Sequence, residues 1–124
     1  TGIGGVFFKA KDPANLKKWY ADHLGMTFED WGGVIFDWAA DQAVQSEPGV
    51  TVWHLADADG AWFEPSKSQM MFNYRVDDLV ALLGQLSEAG IPALKGPDTE
   101  FNGLFAWVMD PEGNKVELWE PRSA

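Results

Sequence analysis

Few side chains in this chain of 124 residues have the chemistry to engage a small molecule, and they fall in definable places. Glu117 sits in the apolar run Val116-Glu117-Leu118-Trp119, where a carboxylate needs a physical reason for its position. A cross-strand ion pair, with Arg75 as partner, is one reason. A place in a cleft as ligand anchor or general base is the other. His54 follows Trp53 and is the imidazole read as nearest such a cleft, although core or interface duty would also explain it. No arrangement of Ser or Thr with a carboxylate marks it as part of a triad. Lys9 and Arg75 are each central in an aromatic-bearing stretch. Facing inward they would form a cationic patch suited to a carboxylate or phosphate; facing out they are solvated strand residues.

The elements that must position these groups are written twice. Gly5 to Ala10 reads as a strand, Asp12-Pro13 as a helix start, and Leu16, Trp19, Tyr20 and Leu24 as one apolar stripe ending at Gly25. Met71 to Val76, Asp78, the stripe Leu79, Leu82, Leu83 and Leu86, and Gly90 repeat that plan. Further strands are expected at Val34 to Trp38 and Val50 to Leu55 in the first half. Phe105 to Met109 and Val116 to Trp119 should form a hairpin across Asp110-Pro111-Glu112-Gly113-Asn114 in the second. A duplicated unit of this size buries its apolar surface best against its copy, which leaves a concave face between the two. The expectation is a single α+β domain of two tandem βαβββ modules, about 3–56 and about 70–121, curved into an incomplete barrel around a cleft. The linker, about 57–69, is rich in breakers yet carries Trp62 and Phe63; folding over the cleft or lining an interface would both account for it.

Strand alternation then sorts the side chains. Val6, Phe8, Phe72, Tyr74 and Val76 are expected toward the helices. Phe7, Lys9, Met71, Asn73 and Arg75 are expected in the cleft, with Glu117 and Trp119 on one face of the last strand.

Nine basic against nineteen acidic residues give a net charge of -10, which repels nucleic acid and anionic membrane surfaces. The absence of Cys excludes disulfides, thiolate nucleophiles and Cys-ligated zinc. No apolar run approaches the ~20 residues of a membrane span and no signal-peptide pattern is present, so a cytoplasmic location is the default expectation. Seven Trp and eight Phe are many for this length and suggest a pocket wall or a subunit interface beyond the core. With two modules that each leave edge strands, a homodimer is expected.

Lys11-Asp12-Pro13, Trp19-Tyr20, Leu24-Gly25-Met26 and above all Asp110-Pro111-Glu112-Gly113-Asn114-Lys115-Val116-Glu117-Leu118 resemble the vicinal oxygen chelate superfamily. That group holds glyoxalase I, bleomycin-resistance proteins and extradiol dioxygenases. The resemblance spans nearly the whole chain and implies the βαβββ repeat and a dimer. It also implies four metal-ligand positions, which fall on Gly5, approximately Trp53, Met71 and Glu117. Only Glu117 suits a hard divalent ion, so no metal and no other cofactor is expected. His54 lies one residue from Trp53 and would face the other way unless a bulge turned it inward.

These readings converge on a glyoxalase-like protein that binds, and sequesters, a small aromatic organic molecule. Phe7, Trp53, Met71, Trp119 and Trp62 would form the apolar wall, and Lys9, Asn73, Arg75 and Glu117 the polar contacts. The alternative is a lyase, isomerase or dioxygenase of the same superfamily, with Glu117 or His54 as the catalytic group.

Overall fold

Local chemistry starts and stops the two longer helices at the expected places. The Asp12 side chain accepts from the Asn15 N–H at 3.1 Å and opens α1 (Pro13–Leu24), with Pro13 in the first turn where its missing donor costs nothing. Gly25, at φ +68°, ends the helix in the left-handed conformation that glycine adopts without strain. Leu16 and Tyr20 are the buried members of its stripe. The second half repeats the device: Asp78 accepts from the Ala81 N–H at 2.9 Å and opens the third helix, Leu79–Glu88, with Gly90 at φ +81° just past its end.

The computed structural model describes residues 2–122, and the chain divides into two units, residues 1–60 and 61–124. The first unit holds α1 and a short α2 (Trp38–Ala43). Among its described residues none is in a β-strand, so the strands expected at Gly5 to Ala10, Val34 to Trp38 and Val50 to Leu55 are not formed. Trp38 instead begins α2, because the Asp37 carboxylate accepts from the Ala40 N–H at 2.9 Å and captures the turn as a helix N-terminus. The other two segments keep their alternating pattern but lack a ladder partner. Phe7, Val52, Trp53 and Leu55 are consequently exposed.

The second unit is a four-stranded mixed sheet with a helix on one face. It runs β1 (Phe72–Arg75), α3 (Leu79–Glu88), β2 (Lys95–Glu100), β3 (Gly103–Met109) and β4 (Lys115–Pro121), in the spatial order β1-β4-β3-β2. β1 lies parallel to β4, and β4-β3 and β3-β2 are antiparallel. The whole is α+β, and the sheet does not close into a barrel. β2 was not read from the sequence, because Gly96-Pro97 lies inside it; as an edge strand it tolerates a residue without an N–H.

The core lies on the face where Val116 and Leu118 of β4 stand opposite Val108 and Ala106 of β3. Leu79 and Leu86 of α3 are buried, and the Glu120 carboxylate accepts from the Leu79 N–H at 2.8 Å, which ties the start of α3 to that face. Each fully buried Leu or Val contributes about 1.5–3 kcal/mol, so this face is a substantial part of what holds the unit together. No described helix is long and apolar enough to cross a membrane.

Candidate functional site

The opposite face of the sheet gathers the polar and aromatic candidates, and the hairpin between β3 and β4 aligns them. Asp110 accepts from the backbone N–H of Glu112 and of Asn114, both at 2.9 Å, and from Asn114 Nδ2 at 2.7 Å. Gly113, at φ +79°, completes the turn. Fixing this turn fixes the register, which sets Trp107 opposite Glu117 and Phe105 opposite Trp119. The parallel pairing of β1 adds Asn73 beside Glu117 and Arg75 beside Trp119. Across β3, Lys95 stands opposite Trp107 and Asp98 opposite Phe105. Two rows therefore cross the sheet: Asn73, Glu117, Trp107, Lys95 and Arg75, Trp119, Phe105, Asp98.

The first row is a hydrogen-bonded network. Asn73 Nδ2 donates to Glu117 Oε1 at 2.7 Å, and Trp107 Nε1 donates to Glu117 Oε2 at 2.9 Å. Glu117 is buried, whereas Asn73, on an edge strand, is exposed. Lys95 Nζ lies 5.2 Å and Lys115 Nζ 5.8 Å from the Trp107 ring centroid, reaching it from the strands on either side. Lys95 also pairs with Asp98 at 3.2 Å, and Lys115 Nζ donates to the Trp62 carbonyl at 2.7 Å. Burial away from water, and then the Lys95 charge, push the Lys115 ammonium below its ordinary pKa against the opposing pull of Glu117 and Glu64.

The second row is aromatic. Phe105 and Trp119 stack at 5.8 Å with ring planes 8° apart, and Arg75 lies over Trp119 at 5.8 Å. Trp119 Nε1 donates to the Asn102 carbonyl at 3.0 Å, which fixes the indole.

The expected site residues thus fall into two groups. Asn73, Arg75, Glu117 and Trp119 share one sheet face, and Met71 precedes β1. Trp62 lies in the turn bonded by Lys115 and is 44% exposed. Phe7, Lys9, Trp53 and His54 belong to the first unit, all exposed and outside any helix or strand. The ion pair considered between Arg75 and Glu117 is not formed; neutral donors take both carboxylate oxygens instead. Trp107, Lys95 and Lys115 were not singled out in the sequence. Counting outward from Asp110 and Asn114 pairs Trp107 with Glu117, so that signal was present. Lys95 carried none, because its strand was unread.

The donor set does not suit the superfamily's divalent ion. Of the four carried-over positions, Gly5 has no side chain, Trp53 is no ligand, and Met71 offers a soft thioether. Glu117 is the remaining donor, and its oxygens accept from Asn73 and Trp107. Among the described residues no group of three or more His, Cys, Asp or Glu could hold a metal ion.

A four-stranded mixed sheet with a helix on one face and the Glu117 row on the other is the setting for the family comparison. The model of the Glyoxalase/Bleomycin resistance protein/Dioxygenase superfamily matches residues 2–118, and the chain belongs to that superfamily. No curated protein matches it significantly. Among solved structures, TnmS3, an antibiotic binding protein from Streptomyces sp. CB03234, is similar at 23% identity and TM-score 0.58, over 98% of this chain and 99% of that one. Virulence protein STM3117 from Salmonella typhimurium is similar at 16% identity and TM-score 0.58, over 90% of each chain. The trypanothione-dependent glyoxalase I of Leishmania major is similar at 20% identity and TM-score 0.50, over 88% of this chain and 78% of that one. This chain spans 47% of a structure described as a conserved domain protein, over 43% of its own length. At these identities the likeness establishes the fold.

Proposed function

We propose that the sheet face bearing Asn73, Glu117, Trp107 and Trp119 binds a small, partly aromatic organic molecule and holds it without transforming it. The observation that carries this reading is the buried Glu117 carboxylate, oriented by two neutral donors inside an aromatic face. Apolar walls with a few fixed polar groups are the usual make-up of a small-molecule site. The likeness to an antibiotic binding protein points the same way. Phe7, Lys9, Trp53, Met71, Arg75 and Trp62 stay as proposed ligand contacts. An organic-molecule library read by intrinsic Trp fluorescence tests the reading. Saturable binding with the ligand recovered unchanged supports it, and silence across the library overturns it.

The enzyme reading rests on the same carboxylate, which retains lone pairs for a substrate proton once its two donors are satisfied. Turnover of a bound compound that is lost in Glu117→Gln would establish it in place of sequestration; a corresponding loss in His54→Ala would bring in the imidazole.

We also propose that the protein acts as a homodimer and that the first half supplies the other of two tandem βαβββ modules of an incomplete barrel. The exposed apolar residues of the first unit motivate this. Light scattering that returns the mass of one chain in dilute solution would sink it. The donor set further argues against tight binding of Ni, Mn, Zn or Fe(II), and a stoichiometric metal lost in Glu117→Gln would overturn that.

A further inference from the structure

Among the described residues Glu117 is a carboxylate taken out of water with no ion pair to it. It is 8% exposed, and its hydrogen bonds come from Asn73 and Trp107, neither of which carries charge. No described cation lies within ion-pairing distance of it. The basic side chains of the same face are engaged elsewhere. Lys95 pairs with Asp98, Lys115 donates to the Trp62 carbonyl, and Arg75 lies over Trp119. Lys115 offsets the Glu117 charge only through space. Taking a carboxylate out of water has a cost that two neutral hydrogen bonds offset only in part, and an ion-pairing partner would offset more of it.

The two donors also fix its geometry. Each oxygen accepts one hydrogen bond and keeps acceptor capacity for a second, so the group offers two converging acceptors in a set orientation. Asn73 is exposed on β1, the terminal strand of the sheet, beside the strand that carries the carboxylate. The net charge of -10 favours arrival of a cation over an anion.

We infer that Glu117, oriented by Asn73 and Trp107, is the recognition point for a cationic nitrogen group, an ammonium or amidinium, carried by an aromatic ligand. The inference rests on the reading of this face as a small-molecule site and adds the charge and donor character of the molecule it takes. Trp107 is then a positioning residue, since its indole N–H holds the carboxylate rather than the ligand.

Three probes of one shape test it: benzamidine, benzamide and benzoate, titrated at pH 7 by Trp fluorescence and calorimetry. Benzamidine is expected to bind roughly tenfold more tightly than benzoate, with benzamide between, as a charge-assisted pair at a buried carboxylate implies. Glu117→Gln should weaken benzamidine about tenfold and leave benzamide within about twofold. Trp107→Phe keeps the ring and frees the carboxylate, so it should narrow the benzamidine preference without moving benzamide. The wild-type ranking decides the matter even where a variant fails to fold. Equal binding of benzamidine and benzoate, or a preference for benzoate, overturns the inference and leaves the small-molecule reading standing. Silence of all three also overturns it, and the library screen then shows whether the wider reading falls as well.

Discussion

In the first half Asp12 caps α1 and Gly25 ends it; in the second Asp78 caps α3 and Gly90 follows it, yet only the second half goes on to build a sheet. The difference separates two kinds of sequence signal. A helix satisfies its own backbone, so a cap, an apolar stripe and a stop glycine suffice to place it. A strand satisfies its backbone only through a neighbour. The second half supplies that neighbour locally, through a hairpin of five turn residues held by Asp110. The first half has the alternation, and a turn at Glu29–Gly33 closed by backbone hydrogen bonds, but no strand pairing follows it among the described residues, and Val50, Val52 and Leu55 lie exposed.

The largest expected effect is a contrast in stability between the halves. Leu118→Ala, at a fully buried position, should cost about 2–5 kcal/mol in denaturant unfolding, whereas Leu55→Ala, at a position 77% exposed, should stay within about 0.5 kcal/mol. Comparable losses would show that the first half is buried in the working assembly and would break the comparison. Next come two glycines. A Cβ at Gly103, which sits at φ +139°, would collide with the Glu120 carbonyl and the Trp119 indole. Gly103→Ala should therefore lower stability by about 1–3 kcal/mol, while Gly5→Ala, which meets only the Phe7 ring at ordinary contact distance, should change the melting temperature little.

A smaller effect should be shared by both halves. Asp12→Ala and Asp78→Ala each remove a side-chain acceptor for one helical N–H, at 3.1 and 2.9 Å, and each should cost about 1 kcal/mol. Unequal losses in urea titration would mean the helices are not locally determined to the same degree. The smallest effect concerns Lys115, whose ammonium is pushed below the ordinary lysine value of 10.5. The unfolded chain then binds more protons than the folded one between the two pKa values. The penalty is in full force at lower pH and is relieved as pH rises through the folded pKa toward 10.5. Wild type should gain stability over that alkaline window relative to Lys115→Met, and an identical pH profile for the two proteins would count against the burial of this group.

Much of the site was legible, for reasons that can be traced residue by residue. Glu117 stood out as a carboxylate among apolar neighbours, and the alternation of Met71 to Val76 placed Asn73 and Arg75 on its face, as the register has them. Trp107 needed one more step, counting back from the turn. The strands of the first half were over-read, because alternation states a preference for a sheet and cannot supply the partner strand. β2 was missed because Gly96-Pro97 reads as a break, and only its position at the sheet edge removes the objection.

The sequence by itself determined α1 and α3 with their ends, the β3-β4 turn and the superfamily, since each rests on contacts among residues close along the chain or on an ordered motif. The tertiary structure alone decided that Glu117 takes Asn73 and Trp107 rather than Arg75, that Trp107 lies between two lysines, and that Lys95 belongs to the same row. The Asn73–Glu117 contact joins strands 44 residues apart, and which of several neighbours wins a buried carboxylate depends on register and reach, which composition and periodicity do not contain.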